Sequence, residues 1–85
     1  MSCRAEFTKE FVRTMGKLKK KDTNLFNRLE EKIKEIVEHP ERYKPLKGKL
    51  IGLRRAHLRP FVIIFKIEED TVIFVSFKHH DTAYR

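Results

Sequence analysis

The run Phe61-Val62-Ile63-Ile64-Phe65, entered through Pro60, constrains this chain most. The segment Phe61 to Glu68 reads as a strand that is apolar on both faces. Such a strand needs cover on both sides, or a central place in a sheet. Glu69-Asp70 is a tight turn, and Thr71 to Phe77, with Val72, Ile73, Phe74 and Val75, is the next strand. Two strands around so short a polar turn form an antiparallel hairpin. Leu53 to Arg59, just before the proline, reads as a strand with mixed faces.

The first half of the chain supplies the cover. Ser2 to Phe7 is a brief strand. Thr8 is placed as a helix N-cap, with Phe7 and Val12 at the positions of a hydrophobic staple. Phe11, Met15 and Leu18 recur at helical spacing and predict a helix over Lys9–Lys20. Asp22-Thr23-Asn24 is a cluster of capping residues that starts a second helix, ending near His39, which precedes Pro40. Leu25, Phe26, Leu29, Ile33, Ile36 and Val37 form its apolar stripe. Glu30 and Lys34 face each other across one turn of its polar side. The short link makes the two helices an antiparallel hairpin. His39 to Tyr43 is a loop, and Gly48 and Gly52 bracket the start of the following strand. The expected fold is α+β, in the order β-α-α-β-β-β, with the helical hairpin packed on a small antiparallel sheet. Residues 1–85 form a single domain.

The net charge of +8 is high for 85 residues, and it points to nucleic acid, an anionic surface or an acidic protein partner. The stretch Lys44 to Arg59, KPLKGKLIGLRRAHLR, is basic with no acidic residue, and it feeds directly into the apolar strand. The strand anchors the segment in a core, and the basic residues face a polyanion. Cys3 is the single cysteine, which excludes an intramolecular disulfide and fits a reducing cytoplasm. Cys3 reads as a small residue of the terminal strand. No run suits a signal peptide or a membrane span, so a cytoplasmic protein without a membrane partner is expected.

No GxGxxG, P-loop, HExxH or CxxC is present, and no cofactor is expected. His79-His80-Asp81 invites a metal reading. Adjacent residues on a strand point to opposite faces, however, so no metal site is expected there. Ser76 lies inside an apolar strand and reads as structural. A basic, histidine-containing set remains. RNA can be cleaved by attack of its own 2′-hydroxyl on the adjacent phosphate. The protein then supplies a base, an acid and positive charge around the phosphorane. His57, His80, Arg55, Arg59 and Tyr84 have the right chemistry. A solvated basic face with surface histidines accounts for the same residues.

Three ordered submotifs carry a resemblance. They are Pro45-Leu46-Lys47-Gly48, then Gly52-Leu53-Arg54-Arg55-Ala56-His57-Leu58-Arg59-Pro60, then His80 with Tyr84 four residues later. Together they resemble the C-terminal half of the RelE/ParE toxin superfamily and are most similar to its YafQ branch. The first half matches only in its FTKEF opening and helical hairpin. The resemblance implies a RelE-like fold and the toxin of a type II toxin–antitoxin system. It further implies ribosome-dependent endonuclease action on mRNA by metal-independent acid/base catalysis, with a cognate antitoxin, the ribosome and mRNA as partners. The antitoxin would wrap the helical hairpin and the basic face, with Phe26 or its neighbours as partner-facing candidates.

By the same resemblance, His57, His80, Tyr84 and Arg59 are the catalytic candidates. Lys44, Lys47, Lys49, Arg54, Arg55 and Lys78 are the candidates for RNA and phosphate binding. Two positions depart from the family. Phe61 follows Pro60 where the family carries an acidic residue, and Lys44 stands where the branch has a histidine. ParE-type relatives share the fold and inhibit gyrase without cutting RNA. A non-catalytic gyrase inhibitor and a basic RNA-binding module are therefore the alternatives.

Overall fold

The strand apolar on both faces lies inside a sheet, between two neighbours. The structure, a computed structural model, describes residues 4–48 and 52–81. In chain order the elements are β1 (Arg4–Phe7), α1 (Lys9–Lys21), α2 (Thr23–Glu38), a 3-10 turn (Pro40–Arg42), β2 (Arg54–Leu58), β3 (Phe61–Glu68) and β4 (Thr71–His79). The sheet order is β1-β4-β3-β2. β2, β3 and β4 are antiparallel as expected, whereas β1 joins β4 in parallel and makes the sheet mixed. Ser2 and Cys3, expected in β1, lie outside the described residues.

The helical hairpin covers one face of the sheet. Ile63 and Phe65 alternate onto that face and join a core with Phe11, Leu29, Ile36, Ala56, Val72, Phe74 and Phe77. Val62 and Ile64 point the other way and are also buried. The offset between Phe74 and Phe77 is odd, so a regular strand could not turn both inward. The pairing solves this: Ile64 pairs with Ser76 and Phe65 with Phe74, which leaves Val75 as a bulge that resets the alternation. Ser76 is buried in the sheet, in keeping with a structural role.

Thr8 joins the helical layer to this bulge. Its hydroxyl donates to the carbonyl of Val75 at 2.7 Å and accepts from the amide of Phe11 at 3.2 Å, capping α1. Phe7 stacks on Phe74 at 5.1 Å and meets Phe11 at 5.6 Å, while Val12 is 53% exposed. The staple partner of Phe7 is thus Phe11, because Val12 sits on the solvent side. Asp22 serves both helices at once. Its amide donates to Leu18 O at 2.8 Å, and its carboxylate accepts from Leu25 N at 3.1 Å. The ion pair on α2 is Lys32–Glu35 at 3.6 Å, a step along from the expected Glu30–Lys34. Phe26 is half-buried, with the Lys19 ammonium 5.8 Å from its ring centroid.

β4 extends past its expected end at Phe77, because Lys78 and His79 still pair with Val62 and Phe61. Gly48 and Gly52 both have positive φ, 70° and 92°, which favours glycine on either side of residues 49–51. Among the described residues, no helix is long and apolar enough to cross a membrane.

Candidate active site

Strand alternation sorts the basic residues of β2 onto two faces. Ala56 is buried under the helices and pairs with Ile63. Arg54 shares that face, and its guanidinium donates to the carbonyl of Tyr43 at 2.7 Å. Arg54, an expected phosphate-binding residue, ties β2 to the chain leaving the 3-10 turn. Arg55 and His57 lie on the opposite face, paired with Ile64 and Val62, and His57 is exposed. Arg59 follows at the turn into β3, where the Arg59–Pro60 peptide is cis.

The end of β4 returns to this turn. The His80 amide donates to Pro60 O at 3.0 Å, and the His80 Nδ1 lies 3.4 Å from the same oxygen. Its Nε2 is 3.0 Å from Asp81 Oδ1. Arg55, His57, Arg59, Pro60, Phe61 and His80 line one open cleft of about 410 Å³. Four of the expected site residues therefore meet, although His57 and His80 are 23 positions apart in the chain.

A second cleft of about 330 Å³ shares Arg55 and His57 and adds Lys32, Arg42, Tyr43, Lys44 and Ala56. Lys44 enters the site from this side. Lys32, Arg42 and Tyr43 were not expected there. Lys32 belongs to the polar face of α2, and only the packing of α2 on β2 brings it close. Its ammonium lies 5.6 Å from the Tyr43 ring centroid, and the Tyr43 ring packs edge-on against Phe65 at 5.8 Å. Among the described residues no carboxylate lines either cleft, so both present a surface suited to a polyanion.

Other expected residues stand apart. Lys47 is exposed and lines neither cleft. Lys78 reaches the Glu10 carboxylate on α1 at 4.0 Å, and is thus drawn toward the helix start. Lys49 and Tyr84 lie outside the described residues. The adjacent histidines do not diverge as expected. β4 ends at His79 and His80 begins a turn, so their ring centroids are only 4.9 Å apart. The His79 ring also packs edge-on against Phe61 at 5.8 Å.

Two imidazoles and two guanidiniums around one cleft can exchange protons beside a bound phosphate and hold its charge. Comparison with known proteins identifies the family and the fold. Residues 5–84 match the family described as the ParE toxin of the type II toxin–antitoxin system parDE. The RelE4 protein of Methanocaldococcus jannaschii is 38% identical over 74 residues, covering 84% of this chain and 79% of that protein. Among solved structures, the toxin–antitoxin complex RelBE2 of Mycobacterium tuberculosis aligns with a TM-score of 0.81 at 22% identity, over 93% of this chain and 99% of that one. YafQ of E. coli aligns with a TM-score of 0.67 at 21% identity, over 98% and 99%. These two likenesses show the RelE/ParE fold. The chain belongs to the ParE toxin family of type II toxin–antitoxin systems, within the RelE/ParE superfamily.

Proposed function

We propose that this toxin is a ribosome-dependent mRNA endonuclease. The meeting of His57 and His80 in one cleft, with Arg55 and Arg59 beside them, carries the reading. The RNA 2′-hydroxyl loses its proton to one histidine, and its oxygen attacks the adjacent phosphorus. The bond from phosphorus to the 5′-oxygen breaks, and that oxygen takes a proton from the other histidine. The products are a 2′,3′-cyclic phosphate and a 5′-hydroxyl. Arg55 and Arg59 stabilise the charge of the phosphorane, a contribution worth about 3 kcal/mol for one well-placed donor. Lys44 holds a flanking phosphate in the second cleft, with Lys47, Lys49 and Lys78 adding to the basic field. Tyr84 stacks on or orients the RNA, as the family resemblance implies. The action is cytoplasmic, and a cognate antitoxin restrains the toxin.

The test is primer extension on mRNA after induction of the wild type and of His80→Ala in translating cells. Cuts within translated codons, lost in the variant, support the reading. A second reading, a toxin that blocks gyrase without cutting RNA, is favoured by the match to the ParE description. Intact mRNA together with DNA damage after induction supports that one.

A further inference from the structure

The geometry points to a transition-metal site at His79, His80 and Asp81, of the class that takes Zn²⁺, placed where a bound ion removes His80 from the cleft. These residues follow one another in sequence, yet their donor atoms all lie within 4.8 Å of one another. The end of β4 makes this possible. His79 is held by the ladder through its pair Phe61, while His80 and Asp81 turn back toward it.

The contacts have the form of a chelate. Asp81 Oδ1 stands 3.0 Å from His80 Nε2, and Oδ2 stands 3.5 Å from His79 Nδ1. Donor atoms around a tetrahedral zinc, at about 2.0–2.1 Å from the metal, are about 3.3 Å apart. Oδ1 thus faces one imidazole and Oδ2 the other, each near that separation.

The other nitrogen of His80 adds an independent observation. Nδ1 is 3.4 Å from the carbonyl oxygen of Pro60. A ring that donates Nδ1–H to this carbonyl presents a bare Nε2 lone pair. A backbone carbonyl behind a metal-binding histidine is the usual orienting partner. In the other tautomer Nε2–H donates to Asp81 Oδ1 at 3.0 Å, and a bound ion takes the place of that proton. The His79 Nδ1 accepts from the Asp81 amide at 3.3 Å, and an ion at Nδ1 replaces that bond. All three side chains are exposed, so an ion enters from solvent and water completes its shell. Two imidazoles and one carboxylate suit zinc or nickel, and suit magnesium poorly.

The consequence for activity rests on the proposed nuclease reading, and the binding itself does not. An ion on His80 Nε2 takes the ring nitrogen that faces away from Pro60 and leaves the cleft with His57 alone to move protons. Cleavage then falls as zinc rises and returns when a chelator removes it.

The test is calorimetric titration of the untagged full chain with ZnCl2, and separately with MgCl2. The wild type is compared with His79→Gln and Asp81→Asn, each checked for folding by circular dichroism. The expected result is one Zn²⁺ per chain, no binding of Mg²⁺, and affinity at least about tenfold weaker in each variant. No zinc binding by the wild type, or unchanged affinity in both variants, overturns the site. A cleavage assay on ribosome-bound mRNA then uses zinc at a level that fills the wild type and not His79→Gln. Loss of cutting by the wild type alone supports the regulation, and full cutting by the zinc-bound wild type overturns it. If the wild type fails to cut even without zinc, the nuclease reading falls and the regulation with it. The titration still decides the metal site in that case.

Discussion

The amide of His80 donates to the carbonyl oxygen of Pro60 at 3.0 Å, one step beyond the last ladder pair, Phe61 with His79. This bond fixes the end of β4 against the turn that leaves β2. It carries His80 to the cleft that already holds His57. Both side chains are exposed, and each is held in place through backbone pairing.

His57→Ala and His80→Ala should therefore leave folding intact and remove activity. Loss of one acid or base group lowers the rate by about 10²–10⁴-fold. Thermal melts and primer extension on ribosome-bound mRNA check the two halves. A melting temperature that falls several degrees in either variant contradicts the exposed placement, and full cleavage contradicts the role.

Arg54 and Arg55 are adjacent in sequence and should fail in different ways. Arg54 donates to Tyr43 O at 2.7 Å on the helix side, so Arg54→Ala removes a charged hydrogen bond worth about 1.5–3 kcal/mol. Urea unfolding should show that loss. Arg55 lines both clefts, so Arg55→Ala should weaken RNA binding and reduce the salt slope by about one unit. Fluorescence anisotropy with a non-cleavable 2′-O-methyl oligonucleotide, over a range of salt, reads that slope. A slope that falls more in Arg54→Ala than in Arg55→Ala reverses the assignment.

Periodicity made the helices, the β3–β4 hairpin and the central place of β3 legible, since the apolar spacing of Phe61 to Phe65 allows few other arrangements. The meeting of His57 with His80 was expected only from the resemblance, because nothing in local spacing joins residues across two strands. Two features were hidden for physical reasons. The bulge at Val75 depends on cross-strand register, which a single strand does not reveal. The convergence of His79 with His80 depends on where β4 stops, and that is set by its pairing with Phe61. Lys32 and Arg42 lay beyond sequence reasoning because the second cleft forms only when α2 packs against β2. The parallel pairing of β1 with β4 was likewise invisible in four residues of mixed character.

Phe74 is where the aromatic core converges. It is fully buried and meets Phe7 at 5.1 Å, Phe11 at 5.5 Å and Phe65 at 6.0 Å. Phe74→Ala leaves a cavity among three rings and should cost about 3–5 kcal/mol. A chain of this size has a small margin to lose, so urea denaturation should show a largely unfolded variant at room temperature. A loss under about 1 kcal/mol would mean that the rings collapse into the space.

Thr8 offers a finer test, because one hydroxyl makes two different bonds. It caps α1 by accepting from Phe11 N, and it holds the bulge by donating to Val75 O. Thr8→Ala removes both and should cost about 1–2 kcal/mol, the upper range for loss of a cap. Thr8→Ser keeps the hydroxyl and should recover most of that loss. Thr8→Asn can cap the helix and can also donate through its amide, but its longer reach does not suit a 2.7 Å bond to Val75. Its stability should fall between the other two. Hydrogen exchange at the β4 amides near Val75 separates the contributions. Faster exchange in Thr8→Ala than in Thr8→Ser shows that the hydroxyl secures the bulge. Equal exchange rates in the two would confine its role to the helix cap.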